Sequence, residues 1–203
     1  MASTEATKDA PEAPPVTKPP PPPPLPFNLF RLDLFLRLAL FATTLVSVIL
    51  MVISKQTKYF STPFTSFVVV LDAKFVYSPA LIYFVAAIST ACLYSIITGA
   101  VSAYGVFRPS PANKFLFHLA TFDGLMLGVV ASATGAVAAV AYIGLKGNNH
   151  VGWTKVCNIY TKFCSFVASS VAISLASTII LLILLTISTY SLHRRTMHAP
   201  LIN

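Results

Sequence analysis

The chain of 203 residues has little charge: Asp, Glu, Lys and Arg together make up 10%, and only six side chains are acidic. A water-soluble globule of this size could not cover itself with so few, so a soluble fold is excluded and a membrane protein is expected. The motifs of soluble catalysis are missing too. There is no P-loop, GxSxG elbow, HExxH or glycine-rich dinucleotide loop. His118, His150, His193 and His198 make no metal-ligand spacing. The expectation is therefore no enzyme, with no catalytic residue, no cofactor and no metal site. No short apolar region with a small-residue cleavage site precedes the first long apolar run, so no cleaved signal peptide is expected and that run itself directs insertion.

What is abundant is apolar: 56% of the residues are hydrophobic and the mean hydropathy is +0.76. Four runs, at about 34–53, 79–103, 115–143 and 166–190, are long enough to cross a hydrocarbon core of ~30 Å, which takes roughly 20 helical residues. The predicted fold is all-α, a four-transmembrane-helix bundle occupying residues 28–193, with both termini on one side. Residues 194–203 form a short basic tail. Its sequence "SLHRRTMHA", entered from the last span, reads as an anchor for anionic lipid head groups and not as a nucleic-acid site.

Residues 1–27 differ in kind. Ten of the 15 prolines lie here with almost nothing bulky and apolar, so a disordered proline-rich tail is expected. The run from Pro19 to Pro26 suits a polyproline II rod, with PxxP spacings at Pro19/Pro22 and Pro23/Pro26. It reads either as a ligand for SH3-, WW- or EVH1-like cytosolic proline-motif readers or as a plain spacer.

Lys and Arg counts do not orient the spans, since seven fall on the side of the termini and six on the other. Cysteine usage does better. Cys157 and Cys164 lie in the loop between spans three and four, whereas Cys92 is alone in span two. A local disulfide there would persist only in an oxidising compartment, placing that loop outside and both termini in the cytosol. The alternative is a pair of reduced thiols in a cytosolic loop.

Asp123 is a carboxylate inside the third apolar run, and Arg37 is a second intramembrane charge in the first. Such groups are costly in lipid, about 2.5–3.5 kcal/mol on insertion scales, and tend to be paired, to face the bundle interior or to be functional. Spans one and three run the same way, and their apolar boundaries put the two backbones roughly 5 and 12 Å deep. An Arg37–Asp123 pair joining these helices is the favoured reading. In the alternative, Arg37 pairs with Asp33 one turn earlier and Asp123 stays protonated as a neutral, hydrogen-bonded acid. A third possibility is a proton or ion relay through Asp123; His118, five residues earlier, points about 140° away from it.

Small residues recur every fourth position in span three (Ala120, Gly124, Gly128, Ser132, Ala136) and in span two (Ala87, Ala91, Ser95, Gly99, Ala103). This spacing lets helices approach closely, and the expected use is packing inside one bundle, with contact between protomers as the alternative. The stretch "TIILLILLTIS" in span four is expected to meet lipid.

These features in this order resemble the plant Casparian strip membrane domain protein family, and its CASP-like members in particular. The likeness rests on the proline-rich tail, the four spans, Arg37, Asp123 and the loop "GWTKVCNIYTKFC" from Gly152 to Cys164. It covers nearly the whole chain from Asn28 to about Tyr190. The resemblance implies a plasma-membrane protein with a MARVEL-like four-helix fold, cytosolic termini, an Arg37/Asp123 pair and paired loop cysteines Cys157 and Cys164. The founding members polymerise into immobile membrane domains and gather wall-modifying enzymes that deposit lignin. They carry a first-outer-loop segment related to "SLPFFTQFLQF"; here the region reads "STPFTSFVVVLDAKF", and only Pro63, Phe64, Thr65 and Phe67 keep something of it. The expectation is thus a CASP-like scaffold and not a founding strip-forming member. It would self-associate with itself and related four-span proteins as homo- or hetero-oligomers within the membrane lipid, and its outer loops would hold extracellular wall enzymes. The alternative functions are a small-solute or ion transporter or channel subunit using Asp123, and thiol exchange at Cys157 and Cys164.

Overall fold

The computed structural model describes residues 27–61, 68–107 and 113–197. The proline-rich run, Pro63, Phe64, Thr65 and Phe67 of the first loop, and the last six residues lie outside them. Four long helices carry the chain: α1 (Phe27–Ile53), α2 (Pro79–Phe107), α3 (Asn113–Lys146) and α4 (Thr161–Met197). Each contains a stretch long and apolar enough to cross a membrane. All four start earlier or end later than the apolar runs, because backbone hydrogen bonding carries a helix past the last apolar side chain.

Local chemistry explains the boundaries. α2 begins with Pro79, whose fixed φ and missing N–H suit the first helical position. The Ser78 carbonyl before it accepts from the amides of Leu81 and Ile82 at 3.0 and 3.1 Å. α3 ends at Lys146, a cation at the negative end of the helix dipole. Gly147 then takes a left-handed φ of +68° and returns its amide to Ile143 O at 2.7 Å.

The helices form a four-membered ring in chain order, α1 against α2, α2 against α3, α3 against α4 and α4 back against α1. Helices α1 and α3 therefore face each other across the diagonal. Most of the buried positions follow one rule. They are Arg37, Leu40, Thr44, Ser47, Met51 and Ser54 along α1 and just past its end. In α2 they include Leu81, Phe84, Ile88, Ala91, Ser95, Thr98 and Ser102, and in α3 Asp123, Val130, Ala133 and Val137. In α4 they include Val167, Ser170, Ser174, Ser177, Leu181, Leu184, Ser188 and Ser191. Alternating steps of three and four, averaging 3.5, keep a seam facing its partners when helices wrap left-handedly.

Many of these core positions are hydroxyls, which suits packing in lipid, where small polar side chains bring backbones close and bond across helices. Between α1 and α4, Ser47 donates to Ser170 O at 3.1 Å and Ser170 donates to Ser47 O at 2.8 Å. Ser177 donates to the Thr43 hydroxyl at 2.9 Å, and Thr134 of α3 to the Ser174 hydroxyl at 3.1 Å.

The small-residue stripes divide. In α2, Ala87, Ala91 and Ser95 are buried, and Gly99 and Ala103 half-buried. In α3, Gly128 and Ser132 are exposed, and a side chain added at Gly128 would meet nothing within 4 Å. That stripe does not pack inside the bundle along its length. A step of four residues advances a helix by about 400°, so each five-residue series drifts about 160°: on α2 it passes from buried to half-buried, and on α3 it leaves the inward side at Gly128 and Ser132. Gly124 alone of the GxxxG pair touches a neighbour, with its added Cβ 3.8 Å from Leu185 of α4. The lipid-facing expectation for the end of α4 also divides, since Ile179, Leu182 and Ile183 are exposed while Leu181 and Leu184 are fully buried.

At the end of the bundle away from the termini, the first loop adds an element the helical reading did not foresee. Strands β1 (Lys55–Ser61) and β2 (Val68–Lys74) pair antiparallel from Lys55 opposite Lys74 to Ser61 opposite Val68. The hairpin is tied to the second loop of the same end. Tyr160 donates its hydroxyl to Leu71 O at 3.3 Å, and Gln56 Oε1 accepts from the Phe163 amide at 3.2 Å.

Candidate functional site: a charge network inside the bundle

Arg37 stands ten residues into α1 and Asp123 ten residues into α3. The depth difference inferred from the apolar boundaries disappears, because both helices begin outside those boundaries, and the two groups lie level across the diagonal. Both side chains are fully buried. Arg37 Nη2 donates to Asp123 Oδ2 at 3.4 Å and Arg37 Nε donates to Asp33 Oδ2 at 3.0 Å. A guanidinium has five N–H donors in a planar fork and can serve two carboxylates at once. The two pairings weighed as alternatives are both present, and the shorter is the one within α1.

Asp123 has a closer partner than Arg37. Tyr94 of α2 donates its hydroxyl to Asp123 Oδ1 at 2.6 Å, and Ser188 of α4 reaches Asp123 Oδ2 at 3.5 Å. On the other side Ser102 of α2 donates to Asp33 Oδ2 at 2.9 Å. One arginine, two aspartates, a tyrosine and two serines thus link all four helices. Gly99 of α2 packs beside the arginine, where an added Cβ would meet Arg37 Cβ at an ordinary contact distance of 4.0 Å. His118 is exposed and pairs edge-on with the ring of Phe117, away from this network.

The second cluster lies in the loop between α3 and α4. Cys157 and Cys164 form a disulfide with their Cα atoms 5.6 Å apart. The bond joins a short 3₁₀ turn (Val156–Asn158) to the first turn of α4. The loop before it closes on itself through paired bonds between Asn148 and Trp153, at 3.0 and 2.9 Å. Cys92 is a free, half-buried thiol in α2. Among the described residues, no group of three or more His, Cys, Asp or Glu side chains is placed to hold a metal ion.

The sequence profile of the Casparian strip membrane protein domain matches residues 28–180. The chain belongs to that family. Its relatives include the CASP-like protein 1D1 of Musa acuminata, 46% identical over 196 residues, 95% of this chain and 98% of the relative. The CASP-like protein 1D1 of Populus trichocarpa is 49% identical over 160 residues, covering 79% and 82%. The CASP-like protein 1D2 of Glycine max is 42% identical over 196 residues, covering 96% and 98%. No solved structure matches the chain.

Within this Casparian strip family member, sequence reasoning located the charges and missed what surrounds them. Tyr94, Ser102 and Ser188 were not singled out. Ser102 and Ser188 continue the three-four series of buried positions in their helices, a series that the structure reveals. Tyr94 lies one residue before the buried Ser95 and is half-buried itself, and only the three-dimensional approach of α2 to Asp123 marks it.

Proposed function

We propose that this multi-pass membrane protein is a plasma-membrane scaffold that self-associates into homo- or hetero-oligomers and organises membrane domains. Its outer loops recruit cell-wall-modifying enzymes, and its termini lie in the cytosol. The observation that carries this reading is the enclosure of Arg37 and Asp123, which engage one another, Asp33, Tyr94 and Ser188 inside a single bundle. Such a core fixes helix order, while exposed apolar side chains such as Leu93, Ile97 and Leu125 leave wide faces for lateral contact. The family membership supports the same reading, and so does the disulfide, which suits an oxidising outer side for the loop that holds it. The MARVEL-like kinship belongs to this proposal as well.

Fluorescence recovery after photobleaching of a functional fusion, in cells that normally express the protein, tests the scaffold. Immobile patches with slow recovery are expected. Rapid and uniform recovery, together with a solute or ion flux that Asp123→Asn abolishes without loss of folding or surface delivery, would overturn the scaffold and favour a transporter.

A further inference from the structure

At the loop end of the bundle, residues of α3, α4 and the loop between them line an open groove of about 800 Å³. Its walls are mostly small or apolar: Ala138 and Ala141 on α3, Ala168, Ala172 and Leu175 on α4, with the buried Leu81 of α2 also lining it. The disulfide cysteines and the turn from Gly152 to Thr154 close its upper part. Along α4 it extends from Phe163 to Leu175, twelve residues apart or about 18 Å. That is a little over half of a ~30 Å hydrocarbon core, about the depth of a single leaflet.

The mouth has a different chemistry. Trp153 lines the cavity and is 56% exposed, the placement of an aromatic at a membrane–water boundary. Three cations flank the lining residues in the chain: Lys146 follows Leu145, Lys155 lies between Thr154 and Val156, and Lys162 precedes Phe163. All three are exposed. A groove of about one-leaflet depth, apolar along its length and with three exposed lysines next in the chain to its lining residues, is matched to one molecule with an apolar tail and an anionic head.

We propose that this cavity is a phospholipid site, in which one acyl chain lies between α3 and α4 and the phosphate meets the lysines of the rim. The phosphate distinguishes this occupant from a sterol, whose hydroxyl carries no charge for three lysines to answer. The disulfide holds the closing loop in place over the chain, and the alanines leave the space that larger side chains would fill. The site is independent of self-association and would exist in a single bundle.

The full-length protein in nanodiscs of phosphatidylcholine, doped with an anionic phosphatidylglycerol carrying a diazirine on one acyl chain, provides the test. After illumination and digestion, label is expected to concentrate on peptides from 138–145 and 163–175, over those bearing the exposed Leu93 and Ile97. Ala141→Phe and Ala168→Phe fill the slot and should lower that labelling about tenfold, while Leu125→Phe on another exposed position of α3 should leave it unchanged. Lys155→Glu should weaken it in the same direction. Retention of the Cys157–Cys164 disulfide and monodisperse elution show that each variant is folded, and the wild-type label map decides the question even if one is not. Label spread evenly over the lipid-facing helices would overturn the proposal. So would displacement by unlabelled sterol but not by unlabelled phospholipid, or disulfide cross-linking between copies carrying Ala168→Cys with no lipid label in the slot.

Discussion

Replacing Arg37 by Met should harm the bundle more than neutralising Asp123, although each change breaks the same 3.4 Å contact. Asp123→Asn keeps the shape of the side chain and leaves Arg37 with Asp33 at 3.0 Å. The loss is then that of one long intramembrane hydrogen bond, about 0.6 kcal/mol and at most ~1.7 kcal/mol. Arg37→Met leaves two carboxylates with no cation. Asp33 is partly exposed and keeps Ser102, but Asp123 is fully buried and keeps only Tyr94 and Ser188. A stranded charge at that depth costs about 2.5–3.5 kcal/mol. The double variant Arg37→Met/Asp123→Asn strands no charge at position 123 and should be more stable than Arg37→Met alone by about 1–2 kcal/mol, which with the ~0.6 kcal/mol loss of Asp123→Asn alone makes a coupling of roughly 2–3 kcal/mol, within the range seen for contacting residues. Reversible unfolding in mixed micelles, followed by circular dichroism as the denaturing detergent is raised, measures all four corners of the cycle. Additive losses, or an Asp123→Asn variant worse than Arg37→Met, would refute the reasoning.

Gly147→Ala should open the loop between α3 and α4, because a Cβ there would lie 2.7 Å from Trp153 O in a backbone with φ +68°; a loss of about 1–3 kcal/mol is expected, read as faster hydrogen exchange over residues 147–153. Gly152→Ala, with the same sign of φ but nothing within 4 Å of the added atom, should be milder. Under non-reducing conditions a maleimide applied to the unfolded protein should label Cys92 and neither Cys157 nor Cys164, and Cys157→Ser should cost about 2–4 kcal/mol, seen in the same detergent titration. The half-exposed Lys74–Asp72 pair, 2.9 Å apart in the hairpin, holds the Asp72 carboxyl below its ordinary range and the Lys74 ammonium above its own through their hydrogen bond. The Asp72 contribution is therefore complete above the ordinary carboxylate pKa of about 4 and lost as pH falls through the depressed value. The Lys74 contribution is complete below about 10 and lost as pH rises through the raised value. Protection of the β1–β2 amides should be flat from about pH 5 to 9 and decline outside it, and Asp72→Asn should remove the acid limb.

Four spans were legible because a lipid core demands about twenty apolar residues in a row, a condition soluble elements rarely meet. Arg37 and Asp123 were legible for the complementary reason, that a charge in such a run stands out. The inward faces were not. In water, polar and apolar residues separate outside from inside, but in lipid both faces of a helix are apolar and the contrast vanishes. Ser170, Ser174 and Ser177 therefore carried no mark in the sequence, although they form the seam of α4 with α1 and α3. The four-residue rule then drew attention to Gly128, which touches nothing, while the three-four series through Ser188 passed unmarked. The hairpin escaped for another reason: its pairing joins strands across residues 62–67 and its anchor at Tyr160 comes from a loop some ninety residues later.

The distribution of charge in the central network also orders the birth of the bundle. Translation delivers α1 and α2 first, and between them they hold Asp33, Arg37 and Ser102, a set balanced in charge whose members already bond to one another. The third helix brings Asp123 with no cation of its own at that level. Its carboxylate finds its mates only on elements that have gone before, Arg37 and Tyr94, and is closed over by Ser188 when the last helix arrives. A chain truncated after α2 leaves no charge unmet, whereas a third helix that docks on the wrong neighbour carries an unanswered carboxylate into the lipid. Only the docking of α3 beside α1 and α2, and of α4 over it, completes the network.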